Sequence, residues 1–389
     1  MKTVKRLFLI VFAIELFFIS CDKDKREKPV YDNVTIVDAP IKHKARVKNP
    51  VHFMSCFSTD NYVELSNSDK NSLVDGRILD IRVDGDTLFL LDHSRIMLFD
   101  HDGNYIRTIG TQGRGRGEYL KIRSFDINTQ QQQISLFDEG KYSINIYSYS
   151  GKFLRSFDIP ENCLVRGFAV LPNGDYLFYC PDYNSRECLR GVWQTDSCGT
   201  FKKMIDEIEP SWKLSSITNR PFVHIDDKTI GYMSAEDKDV IYHITNDEVV
   251  VKYKINIDME IPKRLARKKK LDYSKYSNRL YETFCYNETK NIVQFFVSYN
   301  DDDVLIVTYD KTNGATYRIY DSKDYLLDES DSIALMPPVE YCDHGYLIGC
   351  YPPTAVRTFN EYVKRKHPNF SLESNPIIYL SDCNSWIKQ

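Results

Sequence analysis

Histidine and carboxylate side chains are the groups from which a metal or acid–base site would be built, and in this chain they are dispersed. The eight histidines stand far apart, and the H-E-x-x-H spacing of a zinc hydrolase does not occur. Dispersed ligands can still meet when several repeats converge on one axis, and His93, His224 and His344 are candidates for such a centre. We expect no cofactor, with a divalent metal such as calcium or zinc left open as the alternative.

Nucleophilic and phosphate-binding motifs are equally sparse. The G-x-S-x-G pattern of serine hydrolases is absent. The glycine-rich segment 110–117 lacks the G-K-[ST] ending and the following helix of a phosphate loop, so we interpret it as a crossover that needs a permissive backbone. Arg114 and Arg116, followed by Glu118 and Tyr119, are nevertheless the candidate ligand-binding residues, with an anion as the ligand that the two arginines favour.

Three charged segments have both a chemical and a simpler interpretation. Asp100-His101-Asp102-Gly103 contains the start of a calcium loop but not the downstream acidic ligand, so a hairpin turn is favoured. The run Asp301–Asp303 is expected to be a solvated turn rather than a calcium site. The basic run 263–270 is expected to be a solvated helix face, with phosphate-rich headgroups or anionic glycans as the functional alternative.

The N-terminus has the features of an export signal. A basic start (Lys2, Lys5 and Arg6) precedes the apolar run Leu7–Phe18, which is too short to span a bilayer. The run ends in F-I-S-C, which resembles a bacterial lipobox with Cys21 as the lipid-bearing residue. We therefore predict a signal peptide over 1–20 and membrane attachment through acyl chains on Cys21, with an ordinary secretory signal as the alternative.

Residues 21–32 are expected to form a flexible tether, because charged residues dominate this segment and a polar stretch cannot pack. Its charged start resembles the signal that sends lipoproteins of the Bacteroidetes to the outer face of the outer membrane. That resemblance implies an outer-membrane protein, with the cell surface favoured over the periplasmic face.

Composition describes a folded domain with no affinity for nucleic acid. The chain is 42% hydrophobic and 27% charged, and its net charge of −4 provides no field that would attract polyanions. Ten cysteines are present without any C-x-x-C pair, which argues against a redox or zinc site. The sequence favours neither disulfides nor buried free thiols for these cysteines.

A short pattern that recurs four times predicts the architecture. Its copies start at Ile96, Ile144, Val192 and Val240, which is a step of 48 residues (144 − 96, 192 − 144 and 240 − 192). Gly103, Gly151 and Gly199 share one column of the pattern, and Asp247 fills it in the fourth copy. A period of this length, made of short alternating strands, is typical of β-propeller blades.

The expected fold is an all-β propeller over residues 33–389, with six blades and seven as the alternative. The early strands Val34–Val37 and Tyr62–Leu65 are expected to pair into the last blade, which closes the ring and leaves no open edge. Residues 257–290 break the period and show apolar residues at roughly helical spacing. They are interpreted as a partly helical insertion between blades.

A family resemblance becomes specific between Gly103 and Tyr119. This segment resembles NHL-type repeats and, more closely, the six-bladed β-propeller lipoproteins of the Bacteroidetes, whose first repeat ends in a G-x-G-x-G-E-Y loop. The matching residues here are Gly113, Gly115, Gly117, Glu118 and Tyr119. The resemblance implies fold and location rather than chemistry.

The sequence therefore favours an exported, lipid-anchored binding or scaffold protein over an enzyme. Its expected partners are the membrane, through the lipid, and a glycan, a peptide or an outer-membrane protein. A metal-dependent propeller lyase or lactonase is the alternative, and an assembly subunit of an outer-membrane transporter is a third reading.

Overall fold

The structure, a computed structural model, describes residues 30–31, 33–39, 61–159, 163–181, 189–208, 220–258, 261–262, 280–299, 303–320, 339–354 and 367–381. Every named secondary-structure element within these ranges is a β-strand, so the protein belongs to the all-β class. In the described part of the chain, no helix is long and apolar enough to cross a membrane.

The strands form six blades and one short parallel pair. Blade 1 contains β3 (Asp80–Asp84), β4 (Thr87–Leu91), β5 (Ile96–Asp100) and β6 (Tyr105–Ile109). Blade 2 contains β9 (Ile122–Asn128), β10 (Gln133–Asp138), β11 (Ser143–Ser148) and β12 (Phe153–Asp158). Blade 3 contains β13 (Gly167–Val170), β14 (Tyr176–Cys180), β15 (Gly191–Thr195) and β16 (Phe201–Glu207).

Blades 4 to 6 each include one strand from outside the basic meander. Blade 4 contains β17 (Phe222–His224), β18 (Ile230–Met233), β19 (Val240–Ile244) and β20 (Val249–Ile257), with β1 (Thr35–Ala39) added. Blade 5 contains β22 (Leu280–Glu288), β23 (Ile292–Tyr299), β24 (Asp303–Asp310) and β25 (Thr316–Tyr320), with β21 (Ile261–Pro262) added. Blade 6 contains β26 (Val339–Asp343), β27 (Tyr346–Tyr351) and β28 (Ile377–Ser381), completed by β2 (Tyr62–Glu64). The short pair is β7 (Thr111–Gln112) with β8 (Glu118–Tyr119).

The first strand of each blade faces the central axis. These six strands (β3, β9, β13, β17, β22 and β26) contact one another in sequence around a closed ring. Because each blade is an antiparallel meander that starts at the axis, the loops between blades share one face, here called the crossover face. The turns between first and second strands share the opposite face, here called the hairpin face. The predicted six-bladed propeller is confirmed, and the seven-bladed alternative is not.

The repeated sequence pattern marks the third strand of each of the first four blades and the turn that follows it. Its four starting residues lie in β5, β11, β15 and β19. The shared glycine column is required by the turn, since Gly103, Gly151 and Gly199 have φ values of 82°, 84° and 89°.

The calcium-like segment after β5 is a hairpin turn, as predicted. The Oδ1 atom of Asp100 accepts hydrogen bonds from the backbone N–H groups of Asp102 and Asn104, at 3.0 and 2.8 Å. This aspartate therefore caps its own turn.

Strand β2 closes the ring, as predicted for Tyr62–Leu65. It is the outermost strand of blade 6 and runs antiparallel to β28. The backbone N–H of Ser66 donates to the carbonyl of Gly103 at 2.8 Å, which fastens the end of β2 to blade 1. The ring nitrogens of His367 contact Glu64 of β2 at 2.5 Å and Tyr379 of β28 at 2.7 Å. The N-terminal and C-terminal parts of the domain are thereby joined in one sheet.

Strand β1 lies elsewhere than predicted. The prediction placed Val34–Val37 in the last blade, whereas β1 pairs in parallel with β20, the outer strand of blade 4. Val37 and Ala39 are buried in the apolar core that blades 4 and 5 share, while Ile36 is exposed. Burial of the side chains of Val37 and Ala39, together with coverage of the outer edge of blade 4, explains why β1 pairs with β20.

The partly helical insertion predicted for residues 257–290 is wrong where the structure describes it. Ile261–Pro262 and Leu280–Glu288 are strands, and the second of these is the first strand of blade 5. The strand register shifts between Phe284 and Asn287, with a φ of 52° at Cys285. The bulge lies beyond the apolar residues that suggested a helix. Within β22, Leu280 and Phe284 are four residues apart, and that spacing fits one face of a strand as well as one face of a helix. Residues 263–279, with the basic run, lie outside the described residues.

Apolar cores fill the spaces between neighbouring blades. Between blades 2 and 3, Phe178 stacks on Trp193 with ring centroids 4.6 Å apart. Four cysteines, Cys163, Cys180, Cys342 and Cys350, are buried thiols rather than disulfides. For these four residues, the interpretation as small hydrophobes is the correct one.

We expect Gly103→Ala to destabilise the propeller through its closure. An added Cβ would combine a φ of 82° with an approach of 2.0 Å to the carbonyl oxygen of Glu64 in β2. The positive φ costs about 1–2 kcal/mol and the steric overlap about 1–3 kcal/mol more. Urea denaturation of the purified protein measures the loss.

Gly85→Ala is the matched control. Gly85 also has a positive φ, of 51°, but nothing lies within 4 Å of its added Cβ. It should therefore show the conformational cost alone. Equal losses from the two variants would contradict the role assigned to the contact between Gly103 and β2.

Candidate functional site

Charged side chains from three inner strands meet on the propeller axis. Asp80 and Arg82 are two residues apart in β3, so both project from the same face of the strand. The Nη1 atom of Arg82 lies 2.7 Å from Asp80 Oδ1, and its Nε lies 2.8 Å from Asp126 Oδ1 of β9. Asp343 of β26 adds a third carboxylate, 3.8 Å from the same Nε. We call these residues, with the two histidines described next, the axial ion cluster.

Two histidines extend the cluster toward the hairpin face. The Nε2 atom of His224 lies 2.9 and 3.0 Å from the two carboxylate oxygens of Asp126. The Nδ1 atom of His344 lies 2.9 Å from Asp343 Oδ2. The two imidazoles stack, with centroids 5.0 Å apart and planes within 5°. The cluster therefore joins blades 1, 2, 4 and 6.

The buried groups of the cluster stabilise one another's charged forms. Burial alone would raise the pKa of Asp126, but the charges and hydrogen bonds of His224 and Arg82 hold that pKa well below its usual range. Burial likewise opposes ionisation of Asp343, and the neighbouring His344, followed by Arg82, lowers its pKa. Burial would lower the pKa of Arg82, yet its three carboxylate neighbours raise it. Buried charges are tolerated only when they are paired in this way.

The same carboxylates also hold the inner strands together. Asp126 Oδ2 accepts the backbone N–H of Val170 in β13 at 2.7 Å. Asp343 Oδ2 accepts the backbone N–H of Val83 in β3 at 2.8 Å. Each aspartate thus links its own blade to the next one. This arrangement provides a rigid floor rather than a reactive group.

A cavity of about 650 Å³ opens on the crossover face, with Arg82 in its wall. The loops that precede β3 and β17 contribute Arg77 and Arg220, and blade 4 contributes Lys238. The remaining wall is largely apolar and includes seven aromatic residues: Tyr179, Phe222, Tyr232, Phe284, Tyr286, Phe296 and Tyr341. A concave, mostly apolar pocket with a few polar groups is the usual form of a small-molecule site. We call this space the central cavity.

Arg220 is held in a fixed position at this cavity. Its guanidinium carbon lies 3.5 Å from the centroid of the Tyr341 ring. Its Nε lies 3.3 Å from Asp80 Oδ1, and its Nη2 donates to the carbonyl of Leu79. Asp80 therefore forms ion pairs with two arginines, Arg82 of the axial ion cluster and Arg220 at the central cavity.

A second buried carboxylate, Glu288, links blades 4 and 5. It accepts hydrogen bonds from His243 at 2.9 Å and Tyr253 at 3.1 Å, and also from Tyr286 and Lys311. Burial would raise its pKa, but the bond and charge of His243, with Lys311, lower it. These contacts indicate that Glu288 has a structural role at the hairpin-face end of β22.

The predicted ligand-binding residues of the glycine-rich loop lie between blades 1 and 2, outside the central cavity. Glu118 accepts the backbone N–H of Gly115 at 2.6 Å, and a Cβ on Gly113 would lie 2.1 Å from its carboxylate. Tyr119 is buried in the core between these blades. Arg116 lies 6.0 Å from the ring centroid of Phe153.

These contacts indicate that Glu118 and Tyr119 have a structural role in the crossover between blades 1 and 2. Arg114 and Arg116 are exposed, so ligand binding by them stays a prediction. Sequence reasoning missed Arg77, Arg82, Arg220 and Lys238, which the fold brings to the central cavity from separate parts of the chain.

The three candidate histidines converge only in part. His224 and His344 stack on the axis, whereas His93 is exposed near Gly76. Across the described ranges, no group of three or more His, Cys, Asp and Glu residues is arranged to hold a metal ion. The two axial histidines bind carboxylates instead.

A family model for a domain of unknown function, DUF4934, matches residues 36–381. The chain belongs to this family. No curated protein matches the sequence. Among solved structures, the DUF4934 chain is similar to a candidate exported protein of Bacteroides fragilis, with 19% identity and a TM-score of 0.67 over 89% of this chain and 99% of the other. That likeness supports the six-bladed fold.

Two further structures show weaker similarity. A DUF4221 family member from Bacteroides vulgatus is 9% identical, with a TM-score of 0.46 over 84% of this chain and 96% of the other. A virginiamycin B lyase from Staphylococcus aureus is 13% identical, with a TM-score of 0.39 over 67% of this chain and 73% of the other. Neither match supports an argument about the DUF4934 chain.

We expect the stability of the protein to fall as His344 loses its proton. Burial lowers the pKa of this group, but Asp343, Asp126 and Asp227 raise it from 6.5 to about 9. The folded pKa exceeds the unfolded value, so the stabilisation is complete below pH 6.5 and is lost as the pH rises through about 9. The loss should reach up to about 3 kcal/mol, measured by urea denaturation at a series of pH values.

His344→Asn should flatten that profile, because Asn accepts the positive φ of 43° but does not titrate. His101→Asn is the control, since His101 is exposed in a turn and its loss should leave the profile unchanged. A wild-type profile that is already flat across this window would refute the role assigned to His344.

Proposed function

We propose that this protein is an exported, lipid-anchored binding protein of the outer membrane whose ligand occupies the central cavity. The observation that carries the proposal is the cavity itself, which lies on a rigid axial floor. Its volume of about 650 Å³ falls within the range of about 300–1,000 Å³ that is usual for small-molecule sites. The concave shape favours a small ligand, or the end of a glycan or peptide chain, over a flat protein surface.

Export and anchoring are supported by the N-terminal sequence. The basic start, the apolar run and the lipobox-like ending at Cys21 together resemble a lipoprotein signal. The similar protein of Bacteroides fragilis is named as a candidate exported protein, which agrees with this reading. The charged residues after Cys21 favour the cell surface over the periplasmic face.

The point at which the N-terminal segment joins blade 4 supports an orientation of the cavity relative to the membrane. Val30 bridges to Val250 near the start of β20, at the hairpin-face end of blade 4. Residues 21–29 can span at most roughly 30 Å when fully extended. A lipid on Cys21 would therefore hold the hairpin face near the membrane. The central cavity, on the crossover face, would open away from it.

We expect Cys21→Ala to move the protein from the membrane fraction to the soluble fraction and to abolish acyl labelling, because the thiol is the lipid attachment point. Fractionation of cells labelled with a clickable fatty acid measures both effects. Cys198→Ala, which removes an exposed thiol from a turn of blade 3, should change neither. Acyl label retained by the Cys21→Ala variant would disprove the anchor.

We expect Leu79→Trp to abolish ligand binding, because Leu79 lines the central cavity and an indole would occupy the space. Saturation-transfer NMR with a panel of mono- and oligosaccharides and short peptides detects the ligands of the wild-type protein. Every true ligand should lose its signal in the variant.

Leu154→Trp is the matched control, since Leu154 is exposed on β12 and away from the cavity. It should bind the same compounds as the wild type. A panel in which no compound distinguishes the two variants would contradict binding in the cavity.

A further inference from the structure

We propose that the ligand of the central cavity is a peptide that places one uncharged aromatic side chain against Phe284 and Phe296. This inference rests on the proposed binding function and names the class of ligand that the cavity would select. Three features of the cavity support it: the pairing of its charges, the accessible apolar part of its wall and the side-chain amide of Asn287.

The cations of the cavity wall are already engaged within the protein. Arg82 is paired with the three carboxylates of the axial ion cluster. Arg220 uses its Nε on Asp80 and its Nη2 on a backbone carbonyl. The other two cations of the wall, Arg77 and Lys238, also interact with other groups of the protein. A charged ligand would have to compete with these internal partners, whereas an uncharged ligand would leave them in place.

The accessible part of the remaining wall is mainly apolar. Phe284 and Phe296 are cross-strand partners in β22 and β23, with ring centroids 5.6 Å apart, and both residues are partly exposed. Leu79, at the approach to β3, is partly exposed as well. Apolar groups of this kind are stabilised when the apolar atoms of a ligand replace water against them. An aromatic ring of the ligand would in addition pack edge-to-face or offset on the two phenylalanines.

A bulge in β22 brings consecutive residues to this surface. Successive side chains of a regular strand point to opposite faces, yet residues 284–287 all line the cavity. The strand register shifts between Phe284 and Asn287, where Cys285 has a φ of 52°. Bulges redirect side chains and are common beside binding sites. This bulge therefore brings an aromatic ring and a polar amide to the same part of the cavity.

The side chain of Asn287 provides the polar group that a peptide requires. It is partly exposed at the cavity and forms no hydrogen bond to any other residue that the structure describes. Its amide has both donor and acceptor atoms, which match the C=O and the N–H of a peptide bond. A sugar fits less well, because most of its hydroxyl groups would lie against an apolar wall without hydrogen-bond partners.

Blocked tripeptides of the form acetyl-Gly-X-Gly-amide test the inference. Isothermal titration calorimetry compares X = Phe with X = Ala, Lys and Asp. The Phe peptide should bind about tenfold or more tightly than each of the other three, as expected from burial of one large apolar side chain. The Phe peptide with a free C-terminal carboxylate should bind no more tightly than the amide. A gain of affinity from that carboxylate would contradict an uncharged ligand.

Two substitutions in β22 test where the peptide binds. Phe284→Ala should weaken binding of the Phe peptide by about tenfold, because it removes one ring of the aromatic pair. Asn287→Ala should weaken it by about threefold to tenfold, because the hydrogen bonds of the amide are lost. The Asn287 side chain bonds to no other described residue, so Asn287→Ala should keep the wild-type stability and decides the test should Phe284→Ala fold poorly.

Phe201→Ala is the matched control, since Phe201 is exposed on β16, the outer strand of blade 3. Its affinity for the Phe peptide should equal that of the wild type. Unchanged affinity in both β22 variants would place the peptide elsewhere and overturn the inference.

The remaining outcomes separate this inference from the proposed function. If the Phe peptide binds no more tightly than the other three peptides, while another compound gives a Leu79→Trp-sensitive signal, the ligand class is wrong and the cavity remains a binding site. If no compound at all is sensitive to Leu79→Trp, the binding function fails together with the inference.

Discussion

Six inner strands converge on one axis in this propeller, and the charges buried there must neutralise one another for the ring to close. Arg82 provides most of this neutralisation, because it faces the carboxylates of Asp80, Asp126 and Asp343 from three inner strands. An arginine removed from water is stable only when its charge is paired and its donors are used. The aspartates in turn accept backbone N–H groups from the neighbouring blades, so charge pairing and blade registration depend on the same atoms.

This constraint separates the molecule into a structural side and an open side. Toward the hairpin face, His224 and His344 fill the axis and are engaged by Asp126 and Asp343. Toward the crossover face, the axis widens into the central cavity, where the loops before β3 and β17 supply Arg77 and Arg220. The cavity thus has a floor that is fixed by ion pairs and walls that come from loops. Such a division suits binding, because loops can vary in sequence while the scaffold stays constant.

Several elements of the fold were predictable because they depend on local periodicity. Gly103 and its counterparts mark turns that need a positive φ, and the residues around them alternate as strands do. The closure by β2 also followed from a general rule, since a propeller must cover its last edge. The position of β1 did not follow, because its alternating pattern fits any available edge and only the core between blades 4 and 5 selects one. The sequence pattern of β22 was mistaken for a helical one because the four-residue spacing of Leu280 and Phe284 fits one face of a strand as well as one face of a helix.

The sequence by itself determined the blade repeat, the turns between strands and the lipoprotein-like N-terminus, all of which are recorded in short stretches of neighbouring residues. Only the tertiary structure decided the candidate site. Arg82, Asp126, His224 and Asp343 are far apart in the chain and carry no common motif, and they meet because each belongs to an inner strand of a different blade. The glycine-rich loop could be recognised from the sequence because its residues are close together in the chain. Its glycines, Glu118 and Tyr119 form a local crossover between two blades. A closed ring creates its central cavity from residues at long sequence separation, and local patterns contain no information about that convergence.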